Sequence, residues 1–144
     1  MSTASKYSLV KPTVNTPFKI DFDWWKAHDQ NWRIYLLSFL CDEHRAVYEN
    51  VDPKAMIDLI DPQTAEVHSV DGLQHTLLTH CALQPDFINS RTTLVDAVFR
   101  VFLANENKAL TPLELSAEIG RPAETILRTL SGPRVYQGIR PSPE

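Results

Sequence analysis

The chain has 144 residues, 43% hydrophobic and 9% aromatic, which is enough to pack a core and excludes global disorder. No run approaches the ~18 consecutive apolar residues that cross a bilayer, and the N-terminal MSTASKYSLVKP lacks a charged start followed by an apolar block, so a cytoplasmic protein with no membrane contact is expected. A formal net charge of −4 excludes a general nucleic-acid coat.

The charge is unevenly spread. Residues 1–50 are balanced, whereas residues 51–90 set Lys54 against Asp52, Asp58, Asp61, Glu66, Asp71 and Asp86. After Glu124 the chain is basic until Glu144, through Arg128, Arg134 and Arg140. The acidic middle is a surface that nucleic acid avoids, and the basic tail is the one cationic stretch.

Met1–Pro17 is rich in Ser, Thr, Lys and Pro without periodicity and reads as a mobile arm. Phe18–Phe22 alternates apolar and polar residues as a short extended segment. Asp23 is expected to cap a helix running to Leu40, with Trp25, Trp32, Leu36 and Phe39 or Leu40 at the spacing of a buried face. Trp24 and Trp25 are adjacent and cannot face one core together. One of them is left for the arm or for a second copy of the chain, so both a core role and a homodimer contact stay open.

Cys41–Glu49 extends that helix or forms another, and Asn50-Val-Asp-Pro53 ends it. Met56–Val70 is a hairpin, with MIDLI and AEVHSV flanking the turn sequence Asp61-Pro-Gln-Thr64. Gly72 breaks it, and Leu73–Leu83 is helical. Thr92 or Thr93 caps a strongly apolar helix through Ala104. Thr111-Pro112 with Glu114 opens the next helix as a capped start. Leu115 and Ile119 share its inward face, and Gly120 supplies the left-handed residue that ends it. Arg121-Pro122 starts a last helix whose inward stripe is Ile126, Leu127 and Leu130.

Thr111–Leu130, with small Ser116 after the first inward leucine and Ile119-Gly120 at the corner, resembles a helix-turn-helix unit. The following SGPRVYQGIRP is similar to the strand and wing of a winged-helix domain, so the resemblance covers about residues 92–141. It implies a mainly α protein: a flexible arm (1–17), a helical subdomain with a short hairpin (18–88) and a C-terminal winged helix (89–144). It also implies a double-stranded DNA partner and a role in transcriptional regulation. Recognition helices read base edges in the major groove. On that helix Arg121, Glu124, Thr125 and Arg128 have suitable chemistry for base edges. In the wing, Arg134, Tyr136, Gln137 and Arg140 would meet phosphates or the minor groove. The alternative is a protein-docking adaptor that uses the winged helix with the acidic and tryptophan-rich N-terminal region.

Both cysteines have a histidine within three residues: Cys41-Asp-Glu-His44, and His80-Cys81. Helical spacing of three puts Cys41 and His44 on one face, and two sulfurs with two nitrogens make a closed tetrahedral Zn2+ site. His80 and Cys81 are adjacent, splayed by about 100° on a helix, and converge only where the helix frays. His75 is the reserve ligand. The competing reading makes both cysteines small buried apolar residues. No catalytic residues are assigned: Asp42-Glu43 beside His44 reads as a solvated helix face. The four glycines form no phosphate-binding loop, so an enzyme is not expected.

Overall fold

The computed structural model describes residues 11–89 and 92–142. The chain divides into a central unit, Gln30–Phe87, and a terminal unit built from the described parts of Met1–Asp29 and Ile88–Glu144. Residues 18–29, expected with the central helices, group instead with the C-terminal segment. Among the described residues there are seven α-helices and two two-stranded antiparallel sheets, a mixed architecture.

In the terminal unit, β1 (Phe18–Ile20) pairs antiparallel with the last strand, β4 (Ile139–Pro141), in the register Phe18↔Pro141 to Ile20↔Ile139. Phe18 also bridges Leu110. Asp21 then caps α1 (Phe22–His28) by accepting from the Trp24 N–H. The Asn107 side chain is clamped to the backbone of Ile20 at both ends, its Oδ1 accepting at 2.9 Å and its Nδ2 donating at 2.8 Å. Thr93 caps α5 (Leu94–Ala104), which buries Val98, Phe99, Val101 and Phe102. Trp25 meets Phe99 edge-on, with ring centroids 5.4 Å apart.

The pair α6 (Pro112–Ile119) and α7 (Ala123–Leu130) follows the local signals closely. Thr111 and Glu114 form a capping box, and Gly120 sits at φ 70°, where a side chain is unfavourable. The Ser116 hydroxyl donates to the Arg121 carbonyl across the corner at 2.6 Å. Leu115, Ile126 and Leu130 are buried as expected, but Ile119 and Leu127 are only half-buried, each lying at the margin of its helix's inward face. Residues 131–138 are turns and loop, and β4, where the wing was expected, pairs with β1.

The single helix expected from Asp23 to Leu40 is two helices. Asp29 ends α1 in an extended conformation and accepts from the Trp25 indole N–H at 3.1 Å, a part-buried contact at the point where the helix stops. Trp24 stacks on His28 with the Arg140 guanidinium 5.1 Å from its ring centroid. Part of the expected arm is held as well: Leu113 N–H donates to Val14 O, and Ser142 N–H to Pro17 O. Residues 1–10 lie outside the described residues.

The central unit opens with α2 (Trp32–Leu37), followed by α3 (Asp42–Val47), the hairpin β2 (Met56–Ile60) and β3 (Val67–Asp71), and α4 (Gly72–Thr79). A 3-10 turn, Cys81–Leu83, follows α4. Asp61 organises the hairpin turn through its side chain, which accepts from the Gln63 and Thr64 N–H groups. Those hydrogen bonds favour the ionised carboxylate and hold the Asp61 pKa below its usual value. Asp71 joins three elements: it ends β3, caps α4 by accepting from Gln74 N–H, and pairs with Arg33 of α2 at 2.7 Å. The Arg33 guanidinium also donates to the Pro53 carbonyl and covers the Trp32 ring. Leu36, Phe39, Leu40, Leu73, Leu77 and Phe87 are among the buried residues around this frame.

Candidate metal centre

Cys41 is not inside a helix. The chain leaves helical geometry after α2, and Cys41 caps α3 from an extended conformation, φ −68° and ψ 164°. His44 is three residues into that start, the position whose side chain commonly meets the cap. The two side chains accordingly face each other, Sγ to Nδ1 at 3.3 Å. The other half of the cluster comes from the end of α4. His80 leaves helical geometry at φ −131°, ψ −64°, and Cys81 begins the 3-10 turn. This break lets neighbouring side chains, which a continuous helix would splay, reach the same group.

Cys81 Sγ lies 3.4 Å from Cys41 Sγ and 3.7 Å from His44 Nδ1. A disulfide is about 2.05 Å long, and both cysteines are free. The three atoms make a near-equilateral triangle. A point equidistant from them lies ~2 Å away in their plane, and raising it ~1 Å brings both sulfurs to ~2.3 Å, the zinc–sulfur bond length, with His44 Nδ1 about 0.2 Å beyond the usual zinc–nitrogen distance. The triangle is close in size to one face of a tetrahedral site.

Around it, ligand atoms of Cys41, Glu43, His44 and His80 all lie within 4.8 Å of one another, a group that could hold a metal ion. His80 Nε2 is 3.2 Å from Glu43 Oε2, and the His80 and His44 rings meet edge-on with centroids 4.4 Å apart. Of the four residues expected as ligands, Cys41, His44 and His80 share that group, and Cys81 meets it through Cys41 and His44. Glu43 joins them, although its sequence position suggested only a solvated face. The signal for it was present: Glu43 is adjacent to His44 on the first turn of α3. His75, the reserve, is half-buried within α4 and lies outside the group.

Burial pushes the Cys81 thiol up to about 11, with the Cys41 side chain acting in the same direction. Without a cation the Cys81 thiol is held neutral at pH 7, and a metal bound there would displace its proton.

The residues expected to touch DNA are dispersed in role. Glu124 and Arg128 are exposed on α7, and Thr125 is half-buried with its carbonyl accepting from Thr129 Oγ1. Arg121 turns back to donate to the Thr92 carbonyl at 3.4 Å. Arg134 lies over the Tyr136 ring, 4.8 Å from its centroid. Arg140 pairs with Asp21 at 3.1 Å and packs on Trp24, so it is engaged within the terminal unit. Gln137 adopts φ 46° and turns its amide oxygen inward.

No helix among the described residues is long and apolar enough to cross a membrane. The chain matches no family model, no curated protein and no solved structure.

Proposed function

We propose that this chain is a non-enzymatic binding protein whose central unit is organised by a structural Zn2+ ion and whose α6–α7 pair docks on duplex DNA. The observation that carries the metal half is the triangle of Cys41 Sγ, Cys81 Sγ and His44 Nδ1, whose sides of 3.3 to 3.7 Å match one face of a zinc tetrahedron. His80 is the fourth ligand in this reading, and its Nε2 lies 3.2 Å from Glu43 Oε2, a carboxylate partner of the kind that commonly orients a metal-binding imidazole. Two thiolates with imidazole favour zinc over magnesium or calcium, which prefer oxygen donors.

Metal analysis of the purified full chain tests this. One zinc per chain is expected, and cobalt in its place should show a thiolate-to-metal charge-transfer band that Cys41→Ser or His44→Ala weakens. Metal-free protein with no cobalt–thiolate band would sink the reading. Chelation should selectively speed amide exchange in α3 and α4, because the binding energy of a structural site is folding energy.

The DNA half rests on α7, where Glu124 and Arg128 are exposed beside half-buried Thr125, and on exposed Arg134. With so few free cations the affinity should be modest and salt-dependent. A protein-docking adaptor is the second reading. It is favoured by the exposed Ile34, Met56, Ile60, Val67 and Leu83 of the central unit, of which Ile60 and Val67 are directly paired across the hairpin. Selection from random duplex pools, run beside capture of partners from lysate, separates the two. Failure to enrich any sequence, with no salt-dependent retention, leaves only the adaptor.

A further inference from the structure

We propose that Cys41 and Cys81 form a peroxide-oxidisable dithiol whose conversion to a disulfide expels the metal ion; this rests on the zinc reading of the same site. Three observations lead to it. The two sulfurs are 3.4 Å apart, so closing to a bond requires a shift of little more than an ångström. Both residues sit at helix junctions, Cys41 at the cap of α3 and Cys81 in the short 3-10 turn after α4, where side chains can adjust without unwinding a long element. The chain has only these two cysteines, so each is the other's sole intramolecular partner.

Their burial divides the roles. Cys81 is 1% exposed, whereas Cys41 is half-buried and within reach of a small oxidant. Thiolate character and access decide which sulfur reacts first. The Cys41 thiolate attacks a hydroperoxide oxygen. The S–O bond forms as the O–O bond breaks, and the departing hydroxide takes a proton from solvent to leave as water. The Cys81 thiolate then attacks the Cys41 sulfenic sulfur. The S–S bond forms, the S–O bond breaks, and a second hydroxide leaves as water after protonation. With hydrogen peroxide as oxidant, the two thiolates lose two electrons and the peroxide becomes two waters. The ion, now without thiolate ligands, departs as the dication. The resulting bond spans 40 positions and keeps the start of α3 tied to the end of α4, so the oxidised central unit stays closed where the reduced, metal-free unit is loosened.

The test uses the full chain loaded with one zinc and treated with a slight excess of hydrogen peroxide. The expected result is one zinc transferred to a chromogenic chelator for every two thiols lost. The intact mass should fall by two hydrogens relative to reduced apoprotein, the chain should stay monomeric on a non-reducing gel, and dithiothreitol with zinc should reverse the change. Cys81→Ser should still react, giving a Cys41 adduct with dimedone and no crosslink. Zinc retained after peroxide, a mass gain of two or three oxygens, or disulfide-linked dimers would each overturn the proposal. The cobalt–thiolate band keeps the two failures apart: its absence removes the metal reading, whereas its presence without intramolecular disulfide removes only this inference.

Discussion

Gly138 and Gly120 offer a controlled comparison inside one unit. Both adopt nearly the same left-handed backbone, φ 73° and φ 70°, so an alanine at either position bears the same dihedral penalty of about 1–2 kcal/mol. Their surroundings differ. A Cβ on Gly120 meets nothing within 4 Å, whereas one on Gly138 lies 2.6 Å from Trp25 Cβ and 3.0 Å from the Asp21 carbonyl oxygen. Neither neighbour yields easily: Trp25 is 1% exposed and edge-packed on Phe99, and Asp21 is fixed by its N–H bond to the Gly138 carbonyl. Overpacking of this kind adds about 1–3 kcal/mol. Gly138→Ala should therefore destabilise by about 2–5 kcal/mol and Gly120→Ala by about 1–2 kcal/mol. Urea unfolding in a Trp32→Phe background measures this, because the remaining indoles, Trp24 and Trp25, both report on the terminal unit. Equal midpoints for the two variants would refute the close packing of Gly138 against Trp25 of α1.

Leu130→Ala should lower the stability of the terminal unit by about 2–5 kcal/mol, as large-to-small core changes do; a change within error in the same urea assay would place Leu130 outside the core. Asn107→Ala removes both hydrogen bonds to Ile20 and should cost about 1–3 kcal/mol, with amide exchange at Ile20 rising first. Arg128→Ala, at an exposed position, should leave the thermal midpoint unchanged while reducing the salt dependence of duplex binding by about one ion. Arg140→Ala should instead lower the midpoint, since that side chain is committed to Asp21 and Trp24; a normal midpoint with weakened DNA binding would reverse this assignment.

What the amino-acid order determined by itself is local. Thr111-Pro112 with Glu114, and Gly120 at the corner, specify a capped helix, a left-handed stop and a second helix through interactions spanning a few residues. Asp61 likewise builds its turn from its own neighbours, and Cys41 and His44 are matched by three-residue spacing. Contacts between distant segments were not legible in this way. The register of Phe18–Ile20 against Ile139–Pro141 joins chain ends through backbone hydrogen bonds, which carry no residue-specific signature. The break at Asp29 depends on an indole N–H finding a carboxylate, a contact that competes with the helical periodicity of Trp25, Trp32 and Leu36. The candidate metal cluster lies between these cases. Its ligand types were readable, but adjacent His80 and Cys81 are splayed in any continuous helix. Only the end of α4 at Thr79, where His80 abandons helical dihedrals, brings both side chains to Cys41 and His44.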